Sequence, residues 1–283
     1  MTDNTDHGTT YGPAAPQHTE TGKFMTFLAL PAVKFILIGV LSFLLLIPSI
    51  FVWVLVEERA YRAKDVAREI ARSWGGTQEI NGPYLVIPFT ETYTTGLGDE
   101  VETKTVRRTV VLFPERLTVG ADITVEERQK SIYSLPVYTA RLDLAGTFAA
   151  PPADMFEPGH GGTIDVAADK AVLVVGIRDV RALRSEVALG LSGTGAVPFE
   201  PGLGPLTADA GRRSSGPSGI NAAVSPQAWR TGFSFDVSLQ LNGSTEIYFA
   251  PAGQTTKVSA RSDWPHPGFT GTFLPETRII TDT

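Results

Sequence analysis

The 283-residue chain contains no cysteine. Disulfides, thiolate nucleophiles and cysteine-based metal sites are therefore all excluded. Histidine is scarce, with four in the whole chain. An excess of positive charge is also lacking. The formal net charge is −6, and binding a phosphate backbone needs a basic surface, so nucleic acid is not an expected partner. The most consequential lack is local: from Phe35 to Val56 the sequence reads FILIGVLSFLLLIPSIFVWVLV, with no charged residue.

As a helix, about 22 residues rising about 1.5 Å each reach about 33 Å, enough to cross a hydrocarbon core of about 30 Å. A soluble helix of that length would carry a polar stripe. A cleaved signal peptide has a shorter apolar run and a small-residue cleavage site. Here bulky Val54-Leu55-Val56 leads straight into Glu57, Glu58 and Arg59. The segment is expected to remain as an anchor. Phe24 to Pro31 is also apolar, which sets the expected anchor at residues 24–56. Pro48 is tolerable inside a membrane helix, and Trp53 lies near one end, where an indole favours the interface.

Charge counting leaves sidedness undecided. Lys23 and Lys34 precede the anchor, whereas Arg59, Arg62, Lys64, Arg68 and Arg72 follow it. Taken literally, the positive-inside rule puts the C-terminal part in the cytoplasm, yet large domains translocate despite flanking charge.

Residues 1–23 are rich in Thr, Gly, Pro, His and Asp and have no apolar period, so they are expected to form a disordered tail. His7 and His18 stand too far apart to make a metal pair. Residues 57–76 read as a stalk helix. Ala63, Val66, Ala67, Ile70 and Trp74 recur at helical spacing, and Gly75-Gly76 supplies a stop.

Residues 77–283 switch to a period of two, as in a mainly-β soluble domain, an antiparallel sandwich or meander. Tyr138, Ala140, Leu142, Leu144, Gly146 and Phe148 alternate with polar or small residues. Phe233, Phe235, Val237, Leu239 and Leu241 do the same. Further strands are expected at Tyr84–Phe89, Thr105–Phe113, Leu117–Val125, Ala171–Ile177, Val187–Leu191 and Lys257–Ser262, with a helical turn at Asp179–Ser185. Asn242-Gly243 reads as a type I′ turn joining the 233–241 strand to a return strand at Thr245, Ile247 and Phe249. Pro198–Pro226, rich in Gly, Pro and Ser, reads as a long loop.

Chemistry-bearing residues are sparse. His160, in Gly159-His160-Gly161-Gly162, is expected to be a solvated loop histidine, and no G-x-S-x-G elbow follows it. The glycines at 192–195 and 202–204 lack a P-loop lysine and a βαβ context. Arg212-Arg213-Ser214-Ser215 reads as a solvated basic spot. Glu126 and Glu127 are neighbours on a strand and point to opposite faces, which disfavours acid–base partnership. Asn242-Gly243-Ser244 matches a glycosylation acceptor but already has a turn role. One segment stands apart: Trp264, Pro265, His266 and Pro267, followed by Phe269 and Phe273. Two prolines around one histidine restrict the backbone. His266 is either an acid–base group or part of a packed bend or interface, and the second reading is favoured.

The chain resembles the CreD family of bacterial inner-membrane, cell-envelope integrity proteins. The likeness is carried by Glu58-Arg59 with Tyr61-Arg62, by Gly82-Pro83-Tyr84-Leu85-Val86-Ile87-Pro88, and by Pro114-Glu115. It continues through Val125-Glu126-Glu127-Arg128 with Ile132-Tyr133, then Trp229-Arg230, Pro251-Ala252-Gly253 and the Trp264–Pro275 segment. It implies a cytoplasmic tail, a membrane helix and a periplasmic β-rich domain, against the Lys/Arg count. Family members carry further membrane helices beyond the Trp-Pro-His-Pro region, so this chain is expected to represent the first span and domain of a longer architecture. The resemblance brings no established catalytic residue. The expectation is a module in the inner membrane that binds or scaffolds and is not an enzyme, with no cofactor. Its expected partners are the lipid bilayer and other envelope proteins. The alternatives are an envelope hydrolase using His266 and an extracytoplasmic small-ligand sensor.

Overall fold

The computed structural model describes residues 31–96, 100–130, 132–192, 194–206 and 218–279. The expected tail with His7 and His18, the apolar stretch before Pro31 and the Arg212-Arg213 spot lie outside the described residues. The chain divides between Arg62 and Ala63 into two units.

The first unit contains most of helix α1, Pro31–Trp74. Every large apolar side chain between Phe35 and Val56 is 46–75% exposed. A buried core helix would hide these groups, so the helix needs lipid as its solvent. Pro48 lies inside it and removes the N–H that would bond the Leu44 carbonyl. Ser49 Oγ donates to the next carbonyl, that of Leu45, at 3.2 Å. On the polar side of the span, Arg62 Nη2 pairs with Glu58 at 2.6 Å.

The second unit opens with the last turns of α1, where the expected stripe is the covered one. Ile70 is buried, and Ala63, Val66, Ala67 and Trp74 are half-buried. The helix ends where Gly75 and Gly76 adopt positive φ, 112° and 62°, and both donate their N–H to the Ala71 carbonyl. That is how a glycine-terminated helix satisfies a free carbonyl.

Strand β1 (Gln78–Thr95) follows. After it come β2 (Glu102–Leu112), β3 (Arg116–Lys130) and β4 (Tyr133–Phe148). Next are β5 (Thr163–Val166), β6 (Val172–Ile177), β7 (Ala188–Leu191), β8 (Thr194–Pro198) and β9 (Glu200–Pro201). The chain closes with β10 (Gly219–Ala223), helix α2 (Pro226–Thr231), β11 (Phe233–Ser244), β12 (Ile247–Phe249) and β13 (Thr255–Ser262). One sheet has the order β12-β1-β6-β10-β9, with β2 and β5 also on β1. The other has the order β13-β3-β4-β11-β7-β8. Most pairs are antiparallel, but β12 lies parallel to β1 and β13 parallel to β3.

The two sheets share one core. Leu85, Ile87, Leu173 and Val175 from the first pack with Leu142, Leu144, Val237, Leu239 and Leu241 from the second. The mainly-β expectation therefore holds, as a sandwich with two parallel edges. The helical turn expected at Asp179–Ser185 is a shorter one, a single turn of 3-10 helix at Val180–Ala182, with the Asp179 side chain accepting from Arg181 N–H.

Two expectations fail. Asn242-Gly243 makes no turn: both lie inside β11, paired with Thr139 and Tyr138 of β4. The chain bends later, at Thr245 with φ 69°, and crosses to the other sheet. A two-residue turn signal lost to the long ladder with β4. Nor is Pro198–Pro226 all loop. Gly219–Ala223 is an interior strand between β6 and β9, with Ile220 and Ala222 buried.

Candidate functional site

Along β1 the residues Leu85, Ile87, Phe89, Glu91 and Tyr93 share one face, because side chains alternate along a strand. Leu85 and Ile87 enter the shared core. Beyond Phe89 the cover changes, from the second sheet to the chain between β4 and β5. Phe156 of that connection meets Phe89 edge-on at 5.8 Å and lies 6.3 Å from the Trp229 ring. Trp229 sits on α2, whose N-terminus is capped by Ser225, and its indole N–H donates to the Ala168 carbonyl at 3.1 Å.

Glu91 is the next residue on that face, and its side chain is fully solvent-excluded. Its register partners are Val106 on β2 and Ile164 on β5. Three groups answer the carboxylate. The His160 backbone N–H donates to Oε1 at 2.5 Å. His160 Nδ1 lies 3.3 Å from Oε2. Arg108 Nε stands 3.0 Å from Oε2, an ion pair without the angle of a hydrogen bond. Arg108 reaches it from β2, where it pairs in register with Phe89.

The His160 ring stacks on Tyr93, centroids 4.1 Å apart and planes within 8°, and Arg108 Nη2 lies 3.2 Å from its Nδ1. The guanidinium packs directly over Gly159, where any side chain would collide with it. Glu91 is thus closed off by its immediate partners rather than by depth in the core. Desolvation alone would push its carboxyl up. The His160 N–H, the His160 ring and the Arg108 charge outweigh it and hold the carboxyl below its ordinary value.

His160 lies in the expected loop with its side chain 46% exposed, but it is engaged rather than free. It fastens the β4–β5 connection to β1. Glu91, Tyr93 and Arg108 did not stand out in the sequence reading. The available signal was one acid on the apolar face of a strand, which has to be paired if the strand is buried.

The Trp-Pro-His-Pro segment is arranged differently. Its start is clamped: Asp263 accepts from Val125 N–H at 2.8 Å, and Trp264 N–H donates to Ser262 Oγ at 3.1 Å. Beyond that the segment has no helix or strand through residue 279. Trp264 and Pro267 are half-buried, and Pro265 and His266 are exposed. Phe269 and Phe273 are 45% and 79% exposed. Arg278 lies 5.4 Å from the Phe269 ring and donates to the Pro267 carbonyl at 3.1 Å. Among the described residues no ion pair or hydrogen bond engages the His266 ring, and no group of three or more His, Asp or Glu could hold a metal ion.

The family model for "Inner membrane protein CreD" matches residues 31–283. The chain belongs to the CreD family. Inner membrane protein CreD of Escherichia coli (strain K12) is 31% identical over 243 residues, covering 85% of this chain and 50% of that protein. The chain thus spans about half the length of this curated relative. The resemblance read from the sequence is borne out, and the inner-membrane assignment follows with it. Among solved structures, the InvG secretin of the Salmonella SPI-1 type III secretion injectisome aligns at 9% identity over 58% of this chain and 61% of that one. Its TM-score of 0.10 is too low for a shared fold.

Proposed function

We propose that this CreD-family chain is a membrane-anchored module whose β-domain occupies the periplasm and serves envelope maintenance by binding or scaffolding. Membership in an inner-membrane family supports the envelope setting. The observation that carries the binding role is the condition of Glu91. Both its oxygens, the His160 N–H and the Arg108 charge are spent on one another, so the ionic cluster serves architecture and leaves no poised acid or base. His266 is exposed, and among the described residues no ion pair or hydrogen bond joins its ring to a carboxylate, so no acid–base pair favours the hydrolase reading. A cleft of about 140 Å³ lined by Trp74, Asp179, Arg181 and Asn242 falls short of the roughly 300–1,000 Å³ of ordinary small-molecule sites.

The native chain lacks cysteine, so single cysteines report sidedness cleanly. A cysteine at exposed Asp154 should react with a membrane-impermeant maleimide in intact cells. Labelling that required lysis would put the domain in the cytoplasm and overturn the proposal. The purified 283-residue chain in detergent should hydrolyse neither peptidoglycan, lipid nor peptide substrates, and steady turnover of any of them would overturn the binding role.

A further inference from the structure

Among the described residues, the longest open edge of the β-domain belongs to β2. Its 11 residues pair with β1 alone, without a register shift. The outward N–H and C=O groups of the strand therefore have no backbone partner among the described residues. The other edge strands are shorter: two residues in β9, three in β12, four in β5, five in β8 and eight in β13. Proteins blunt such edges with short strands, prolines, bulges or charge. Of these β2 has only charge, and all of it precedes Thr109. From Thr109 to Phe113 the chain is uncharged, and Val111 and Phe113 are 37% and 55% exposed. We propose that β2 is a docking edge that accepts an extended, acidic segment of a partner protein as an added strand. This gives the binding role proposed above a surface, and it rests on that reading.

The register with β1 sorts the side chains of β2 into two rows. Val106, Arg108, Val110 and Leu112 lie opposite Glu91, Phe89, Ile87 and Leu85, on the core face. Arg107, Thr109 and Val111 lie opposite Thr90, Pro88 and Val86, on the outer face. The three cations of the strand are matched unequally. Arg108 is answered by the buried Glu91. Lys104 reaches Glu102 only at 3.8 Å. Arg107 is exposed and has no ion pair among the described residues. An added strand meets half-buried Val106, Val110 and Leu112 with one row of its side chains and Arg107 with the other. Alternating apolar and acidic residues complement both rows, since opposite charges on neighbouring strands stabilise the pair. A second copy of β2 is a poor match. Antiparallel self-pairing overlaps most when the two-fold axis passes through residue 106, 107 or 108. These registers put Lys104 opposite Arg108, Arg107 opposite Arg107, and Arg108 opposite Arg108. Like charges directly opposite one another destabilise a strand pair.

The test uses the purified 283-residue chain in a zwitterionic detergent, with a blocked, fluorescent peptide of alternating valine and glutamate followed by anisotropy. This peptide should bind severalfold more tightly than its counterpart with lysine in place of glutamate. That preference opposes the formal net charge of −6, whose long-range attraction favours the lysine peptide. Arg107→Glu, at an exposed position, should reverse the preference. The glutamate peptide with an N-methylated backbone should not bind the native chain, because it has no N–H left for β2. Equal binding of the two charged peptides, an unchanged preference in Arg107→Glu, or binding of the N-methylated peptide would overturn the proposal. So would the absence of binding at millimolar peptide. A dimer of the native chain that excludes the peptide would also overturn it, and would make a second copy the occupant. None of these outcomes bears on the maleimide labelling or the turnover assay, so failure of the docking edge is distinguishable from failure of the binding role.

Discussion

Glu91 and His160 are joined twice, once through the His160 backbone N–H to Oε1 at 2.5 Å and once through the ring, with Nδ1 3.3 Å from Oε2. The two links differ in kind. The ring nitrogen also faces Arg108 Nη2 at 3.2 Å. It donates to Glu91 in one tautomer and accepts from Arg108 in the other. The backbone link does not depend on the side chain.

This difference orders the effects of substitution. Glu91→Ala removes every partner at once and strands Arg108, so it should lower the thermal midpoint more than His160→Ala does. Glu91→Gln keeps the shape but loses the charge and should fall between them. Thermal unfolding of the full chain in detergent checks the order. A loss in His160→Ala as large as that in Glu91→Ala would show that the ring, not the backbone bond, fastens the connection.

The same carboxylate should make stability sensitive to acid. Its folded-state pKa lies below the ordinary value, so the unfolded chain binds the extra proton. Stability from this source is complete above the usual glutamate range near pH 4.3 and drains away as pH falls through the folded value. Asp179, held low by side-chain hydrogen bonds from Arg181, adds a contribution of the same sign. Thermal midpoints measured from about pH 6 down to about pH 3 should fall steeply in the native chain. They should fall less in Glu91→Gln.

Gly243 offers a test of the strand that replaces the expected turn. A Cβ there would drive into the Tyr138 ring across the β4–β11 ladder. Gly243→Ala should cost about 1–3 kcal/mol through overpacking. The cost should shrink by at least about 0.5 kcal/mol when Tyr138 is replaced by Leu, since residues in contact couple. A turn glycine would show no dependence on residue 138.

At the end of α1 the β3–β4 hairpin grips the helix by two unequal contacts. Lys130 pairs with Glu69 in the open. Trp74 is half-buried, with Arg128 stacked on it at 4.5 Å and its indole N–H donating to the Tyr138 carbonyl at 3.2 Å. Exposed ion pairs contribute little, so Glu69→Ala should cost under about 1 kcal/mol. Trp74→Ala should cost about 1–3 kcal/mol. Urea titrations of the two variants compare them directly.

Much of this was legible from pattern alone. The apolar run needed only counting, the stripe from Ala63 to Trp74 and the Gly75-Gly76 stop matched the helix end, and the alternation from Tyr138 to Phe148 matched β4. What stayed hidden depends on partners distant in sequence. Glu91 meets Arg108 from β2 and His160 from a connection beyond β4, and no local window contains all three. Asn242-Gly243 illustrates the opposite failure, a sound local signal overruled by the ladder with β4. The exposure of Phe269 and Phe273 was equally invisible, because composition alone does not separate a packed bend from an uncovered strap.

The two parallel pairings constrain when this domain can exist. Gln78–Ile80, at the start of β1, is matched by Ile247–Phe249, and Arg116–Ile123 of β3 by Thr255–Ser262. Both partners follow β11, far along the chain from β1 and β3, so long loops must close before the contacts form. A nascent chain that has passed β11 still has β1 and β3 awaiting their parallel partners, while the span formed from α1 has long since been available for insertion. The domain therefore waits, membrane-tethered and incomplete, until its last strands emerge. For that interval its unpaired edges are the surface that folding factors or proteases would meet.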